Sequence, residues 1–522
     1  MEILKADRLS FAYAESDAQA LRDVSFALES GSFTVLTGDS GSGKSTLLRL
    51  LKREIAPRGT KSGEITVCGV LQERLSDRDA ASKIGFVSQH PDEQIVTDRV
   101  WHELAFGLES LGKDDAFMRR RVAEIASFFG IGDWFRMQTD ALSGGQKQLL
   151  CLASVLAVEP DILLLDEPTS RLDPVSEAEF LSLLERLNRE LGITVLLSAH
   201  DTERVFGMAD RVLHLQDGRI AADGTPREVA SAFPIEKVGC LPSASQIYRR
   251  TNVCGVLPLT VAEGRRMLDG KTFAAPNVPK RTCGDTVLTA KDLCFRFARE
   301  GKPLADRISF ALHAGEHLCL LGGNGTGKTT LLRLLCGALK PVSGKVRAVG
   351  EVAYLPQEPQ TLFGEPTVRE EYLLYCKQAA KDLAQITRVA ERIGITHLLD
   401  RHPYDLSGGE LQLCAIARLL LQDVRVLLLD EPTKGLDARA RERLTAVLKE
   451  LTASGVAVLT VTHDVRFAAS SADFCALLFD GRLPSAEPTR TFFAQNRFYT
   501  TPTSRMTDGV CILPEDVINH LT

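Results

Sequence analysis

A chain of 522 residues is too long for one ordinary core, and two to four domains are expected. With 44% hydrophobic and 25% charged residues and a mean hydropathy of −0.02, it reads as soluble globular protein, and no apolar run reaches the roughly 18 residues a membrane span needs. A net charge of −6 argues against a nucleic-acid coat, and no nucleic-acid partner is expected. The start, Met1-Glu2-Ile3-Leu4-Lys5-Ala6-Asp7, lacks a basic n-region and an apolar h-region, so export is not expected. The 12 cysteines form no Cys-x-x-Cys pair and read as reduced thiols, which places the chain inside the cell.

The first chemical signal is a strand-like run, Phe33–Thr37, leading into Gly38-Asp39-Ser40-Gly41-Ser42-Gly43-Lys44-Ser45. Thr46 and the pattern Leu47-Leu48-Arg49-Leu50-Leu51 continue it as a helix. Strand, glycine-rich loop and helix are the context of a phosphate-binding P-loop, because glycines turn backbone N–H groups toward phosphate and the helix N-terminus adds a favourable dipole. Lys44 would reach the β- and γ-phosphates and Ser45 would place a hydroxyl on Mg²⁺. Before it, Tyr13 sits in a Leu-x-Phe-x-aromatic pattern and is a candidate to stack on a purine, with plain strand packing as the alternative. Further on, Gln89 follows the strand-like Ile84-Gly85-Phe86-Val87-Ser88, and its role rests on position alone.

Ser143-Gly144-Gly145-Gln146 opens an amphipathic pattern with Leu149, Leu152 and Leu156 on one face, a second helix N-terminus fit for an anion. Leu163-Leu164-Leu165-Asp166-Glu167 reads as a buried parallel strand ending in two carboxylates. Asp166 is placed to hold Mg²⁺ and Glu167 to polarise an attacking water. His200 ends the apolar strand Thr194–Ala199 and is expected to contact a γ-phosphate.

The whole series then recurs. Gly322-Gly323-Asn324-Gly325-Thr326-Gly327-Lys328-Thr329-Thr330 repeats the P-loop, and Phe297 repeats the aromatic before it. Gln357, Ser407-Gly408-Gly409-Glu410, Asp430-Glu431 and His463 follow in the same order. Ser143 to Asp166 and Ser407 to Asp430 span the same interval, whereas the stretch between the P-loop lysine and its glutamine is shorter in the second copy. The part nearest the phosphates is held fixed, and a β-rich peripheral segment is trimmed. Between the copies, prolines 226, 234, 242, 258, 276 and 279 predict a connector with little regular structure, apart from one short helix near 260–268. The boundaries are 1–224 and 286–482 for the two repeats, 225–285 for the linker and 483–522 for a tail.

Six ordered motifs occurring twice resemble the ATP-binding cassette (ABC) ATPase family. The resemblance implies an α/β fold of two tandem P-loop NTPase domains, each with an antiparallel β subdomain and a helical subdomain. It implies ATP and Mg²⁺ as cofactors, with Gln89 and Gln357 as further metal contacts beside Ser45, Thr329, Asp166 and Asp430. It also implies head-to-tail pairing of the two cassettes within the chain, the nucleotide at Lys44 meeting Ser407-Gly408-Gly409 and that at Lys328 meeting Ser143-Gly144-Gly145. Both sets are intact, so two hydrolytic sites are expected. The D-loops, Ser170-Arg171-Leu172-Asp173 and Lys434-Gly435-Leu436-Asp437, depart from the usual Ser-Ala-Leu-Asp, which leaves coupling between the sites open.

The stretch Pro91-Asp92-Glu93-Gln94 after Gln89, and Phe492-Phe493 in the tail, look like the ATPase component of energy-coupling factor (ECF) importers with both cassettes fused. That resemblance implies a separate integral T component and a substrate-binding S component, with this chain peripheral at the cytoplasmic face of the membrane. Trp101, Leu104 and Phe106, and Val368, Tyr372 and Leu373, are the candidates to line grooves for the T component. The cargo stays open among a vitamin, a vitamin precursor and a metal ion. A sugar-importer ATPase also stays open, and a ribosome-associated tandem ABC protein is disfavoured by the proline-rich connector and acidic balance.

Overall fold

The computed structural model describes residues 1–14, 18–170, 172–274, 284–298, 303–378, 383–484 and 486–521. They form two compact units, one of residues 1–249 with 255–260 and the other of 250–254 with 261–522. Each unit is built on the same plan.

In the first unit, β1 (Glu2–Tyr13), β2 (Gln19–Glu29), β4 (Gly59–Val67) and β5 (Val70–Leu71) make an antiparallel sheet in the order β2-β1-β4-β5. A second sheet holds β3 (Phe33–Thr37), β6 (Ile84–Val87), β7 (Ile162–Asp166), β8 (Thr194–Ser198), β9 (Arg211–Gln216) and β10 (Arg219–Gly224) in the order β10-β9-β3-β8-β7-β6. All its neighbours are parallel except β9 and β10. Strands β3, β7 and β8 are buried along their whole length, so apolar residues run without alternation, as a sheet covered on both faces requires.

The two-residue period then sorts side chains between two cores. Phe33, Val35, Leu163, Leu165, Val195 and Leu197 pack with Val100, Leu104, Leu150 and Leu152 of the helical region. Leu36, Ile162, Leu164 and Leu196 pack on the other face with Leu47, Leu48 and Leu51 of the P-loop helix and with Leu4, Leu9 and Phe11 of the antiparallel sheet. The strand ends that carry Asp166 and the P-loop are thus clamped from both sides.

The second unit repeats this with β11 (Thr286–Phe295), β12 (Ala305–His313) and β14 (Ser343–Ala348) in one sheet, ordered β12-β11-β14. The other contains β13 (His317–Leu321), β15 (Glu351–Leu355), β16 (Val424–Asp430), β17 (Ala457–Val461), β18 (Phe474–Leu477) and β19 (Glu487–Pro488), ordered β15-β16-β17-β13-β18-β19. The antiparallel sheet has three strands where the first unit has four, in keeping with the shortened spacing.

The proline-rich stretch after the first cassette differs from the irregular connector expected from its composition. It contains helices at Pro226–Ala232, Ser243–Arg250 and Val261–Met267. The reason is where the prolines fall. Pro226 opens the first helix behind a Thr225–Glu228 capping box, a position where its missing N–H costs no hydrogen bond. Pro234, Pro242 and Pro258 lie between helices; residues 275–283 lie outside the described residues. The segment beyond residue 482 is likewise structured, with helices Thr489–Gln495, Pro502–Met506 and Pro514–Leu521. These two segments are themselves repeats: Phe233 precedes Pro242 as Phe493 precedes Pro502, and Leu257-Pro258 returns as Leu513-Pro514.

Phe492, Phe493 and Ile512 of the last segment pack on Cys319 and Leu321 of β13, the strand that feeds the second P-loop. Phe493 is fully buried. Phe493→Ala is therefore expected to cost about 3–5 kcal/mol, read as a shift of the urea midpoint in one unfolding transition only. A uniform shift of the whole curve, or none, would contradict this packing role.

Candidate functional site

Each P-loop ends in a glycine whose backbone conformation and close neighbours leave no room for a side chain. Gly43 (φ 103°) and Gly327 (φ 97°) stand just before the helices Lys44–Leu51 and Lys328–Leu335. A Cβ there would lie 2.7 Å from the Ala20 carbonyl oxygen and 2.6 Å from that of Leu304. The lysine that follows folds back over the loop. Lys44 Nζ donates to the carbonyls of Gly38 (2.9 Å) and Asp39 (3.1 Å), and Lys328 Nζ to those of Gly322 (2.9 Å) and Gly323 (3.0 Å). Both lysines are buried. Gly41 and Gly325 have open space beside them, as a phosphate cradle needs. Ser40, Ser42, Asn324 and Thr326 complete the loops, and the Thr326 hydroxyl donates to the Gly323 carbonyl.

Asp166 and Asp430 end β7 and β16. The glutamate after each adopts a left-handed backbone, φ 46° at Glu167 and 50° at Glu431, a conformation that costs a non-glycine residue free energy and recurs at functional sites. The turn brings the glutamate beside the P-loop lysine and the strand-end histidine. In the first unit Glu167 Oε1 lies 2.7 Å from His200 Nε2 and 3.8 Å from Lys44 Nζ, and Gln89 Nε2 donates to Oε2 at 3.1 Å. In the second, Glu431 Oε2 lies 2.9 Å from His463 Nδ1, and Oε1 lies 3.9 Å from Lys328 Nζ. Gln357, by contrast, is exposed and makes no hydrogen bond among the described residues.

The paired carboxylates are held at different proton affinities. Burial raises Asp166, opposed by the Ser45 hydroxyl at 3.0 Å and reinforced by the charge of Glu167. Burial likewise raises Asp430, opposed by the neighbouring Thr329 hydroxyl. Burial also pushes Glu167 up, but the His200 hydrogen bond and the Lys44 charge outweigh it and hold it below the ordinary carboxylate value. Glu431 is held low in the same way by His463 and Lys328. Asp430 Oδ1 is buried with no hydrogen-bond partner. An orphaned carboxylate oxygen beside a hydroxyl and a P-loop is a fitting donor for a hard cation shared with phosphates.

Ser143 and Ser407 cap the helices Gly144–Ala157 and Gly408–Leu419. The side chains of Gln146 and Glu410 turn back onto the serine N–H, each at 2.9 Å, and complete capping boxes. Gly144 and Gly408 are exposed, Gly145 is half-buried and Gly409 buried. Asp173 and Asp437 of the D-loops cap the helices Pro174–Leu191 and Ala438–Ala453, with Leu172 and Leu436 in the core; Arg171 lies outside the described residues. The Tyr13 hydroxyl lies 2.8 Å from the Thr46 hydroxyl; Tyr13 is 40% exposed and Phe297 is 70% exposed. Thr330 is half-buried in the second P-loop helix.

The groove candidates need correction. Leu104, Val368 and Tyr372 are fully buried, because Val100, Leu104 and Leu108, and Val368, Tyr372 and Cys376, recur at four-residue intervals and form the inner faces of the helices Val100–Ser110 and Val368–Gln378. Trp101 and Phe106 are exposed, as is Leu374, which sequence reasoning passed over; Leu373 is half-buried. Sequence reasoning also missed Ser198, whose hydroxyl donates to Asp166 Oδ1 (2.9 Å) and accepts from Glu167 N (2.9 Å). A lone polar residue ending an apolar strand was its only signal. Tyr354, donating to Asp430 Oδ2 at 3.2 Å, was missed as well.

The model of the ABC transporter family matches residues 21–170 and 305–434, more than half of the chain. The chain belongs to the ABC transporter family. It is an ABC ATPase with two cassettes fused in tandem. A protein of Bacillus thuringiensis subsp. konkukian named as an ABC transporter ATP-binding protein is 38% identical, covering 96% of this chain and 94% of its own length. YkoD of Bacillus subtilis, named as an HMP/thiamine import ATP-binding protein, is 33% identical over 95% and 93%. Among solved structures, the archaeal ribosome recycling factor aABCE1 aligns over 94% of this chain and 91% of its own with a TM-score of 0.61 at 21% identity, a likeness of fold alone. As an ABC transporter ATP-binding subunit the chain has, among its described residues, no helix long and apolar enough to cross a membrane.

The buried Glu431–His463 pair has a pH signature. Burial alone would lower His463, but Glu431 raises it above the ordinary value of 6.5, while Glu431 is held below 4.5. The carboxylate's contribution to stability is present above 4.5 and lost as pH falls through its folded value; the imidazole's is present below 6.5 and lost as pH rises through its folded value. By calorimetry, the Tm gap between the chain and its His463→Gln variant should be widest between 4.5 and 6.5 and narrow as pH rises further. A gap independent of pH would remove the ion pair from the account.

Proposed function

We propose that this ATPase energises an ECF-type importer of a vitamin, a vitamin precursor or a metal ion through separate integral T and S components, at the cytoplasmic face of the membrane. The observation that carries the reading is the near-full-length match to YkoD, named for HMP/thiamine import. HMP or thiamine is accordingly the first cargo to try. Trp101 and Phe106, exposed on one helix of the first cassette, are offered as apolar anchors for the membrane component.

Within each site, Lys44 and Lys328 neutralise the β- and γ-phosphates against the P-loop N–H groups. Ser45, Asp166 and Gln89, and Thr329, Asp430 and Gln357, are the proposed Mg²⁺ contacts, and the ion when bound neutralises phosphate charge. Glu167 and Glu431, kept ionised by the neighbouring lysine and histidine, accept a hydrogen bond from the attacking water and align it with the γ-phosphorus. His200 and His463 then contact the γ-phosphate oxygens. Tyr13 and Phe297 stack on adenine. Each serine–glycine helix end presents free N–H groups and a helix dipole that favour a polyanion.

Two measurements test this. Glu167→Gln with Glu431→Gln should bind ATP normally while steady-state hydrolysis falls by at least about 10²-fold; full turnover by the double variant would refute the role of the glutamates. Affinity purification of the full chain from detergent-solubilised membranes should recover integral subunits. Trp101→Glu with Phe106→Glu should lose them without loss of ATP binding. Recovery with ribosomes instead of membrane proteins would overturn the importer reading.

A further inference from the structure

The two sites support their metal-site aspartate from opposite sides. In the first unit Ser198, paired with Asp166 across β7 and β8, donates to Asp166 Oδ1 at 2.9 Å, and Ser45 donates to the same oxygen at 3.0 Å. In the second unit the residue at that register is Val461, paired with Asp430 and fully buried. Its side chain has no hydrogen bond to give, and its backbone carbonyl accepts from Glu431 N at 2.9 Å. The missing donor arrives from the other neighbouring strand. Tyr354 on β15 pairs with Leu428, the register position that Phe86 occupies against Leu164 on β6. Its hydroxyl donates to Asp430 Oδ2 at 3.2 Å, with Arg333 of the P-loop helix beside it. A serine–phenylalanine pair in one copy has become a valine–tyrosine pair in the other.

We propose that Tyr354 is the positioning residue of the second site. By fixing Oδ2 it leaves the buried Oδ1 of Asp430, which has no hydrogen-bond partner, available to hold a cation, the task that Ser198 would perform from the opposite strand in the first site. The two Mg²⁺ sites therefore depend on different residues and can be tuned separately. The inference rests on the proposed reading of Asp430 as a metal carboxylate. A hydrogen bond behind a ligating carboxylate sets its orientation, and its loss typically weakens metal binding by about 10–100-fold.

The test is Mg²⁺ titration of the full chain loaded with a fluorescent, non-hydrolysable ATP analogue, in a Lys44→Ala background so that the second site reports alone. Tyr354→Phe should raise the Mg²⁺ concentration for half-saturation by about tenfold, while analogue affinity in EDTA stays unchanged. Val461→Ser added to Tyr354→Phe should restore it, since it rebuilds the first site's solution on the same backbone. Ser198→Val should be silent in this background and should produce the shift in a Lys328→Ala background. An unchanged Mg²⁺ dependence in Tyr354→Phe, or an equal loss of affinity in EDTA, would overturn the inference. Asp430→Asn separates the causes. If it shifts the Mg²⁺ dependence and Tyr354→Phe does not, the positioning role alone falls; if neither shifts it, the metal assignment falls too.

Discussion

Two adjacent carboxylates buried at the end of a parallel strand are the constraint around which each unit is arranged. Side by side and largely out of water, Asp166 and Glu167 would each be driven toward the neutral acid by desolvation and by the other's charge. Lys44 and His200 settle the matter unequally, holding Glu167 low while Asp166 rests chiefly on the hydroxyls of Ser45 and Ser198, with the charge of Arg49 a smaller help. The same division separates Glu431 from Asp430. Removing any one partner would strand a buried charge, which costs far more than a surface pair contributes.

Such a cluster stays in register only if the strands beneath it do. The alternation of side chains across β3, β7 and β8 pins those strands between two cores, one shared with the P-loop helix and the other with the helical region. Each unit adds a further layer: Phe233, Leu241 and Leu257 join the core of the first unit, and Phe492 and Phe493 of the final helices pack on β13, which feeds the second P-loop. The geometry of the strand ends thus rests on the packing behind them.

The duplicated sites show what divergence is allowed. The lysine, the two carboxylates and the histidine are kept in both units, while the hydroxyl behind the aspartate has moved from β8 to β15. A donor is required there because one carboxylate oxygen must be fixed for the other to be free; which strand supplies it is a matter of geometry alone.

Much of this was already written in the order of the residues. P-loop, serine–glycine helix start, apolar strand ending in Asp-Glu, and strand-end histidine are short-range patterns, each set by local backbone conformation and hydrophobic period, and their repetition specified two α/β cassettes. What the sequence left undecided depends on contacts between segments far apart in the chain. Ser198 and Tyr354 carry no motif, and their partners become visible only when β8 and β15 are laid beside the strands they pair with. Leu104 and Tyr372 looked like surface candidates until the helix face they share with their neighbours was seen to point inward. Proline content suggested an irregular connector because composition does not reveal that Pro226 stands at a helix start, where a missing N–H costs nothing, and that Pro234, Pro242 and Pro258 lie between helices.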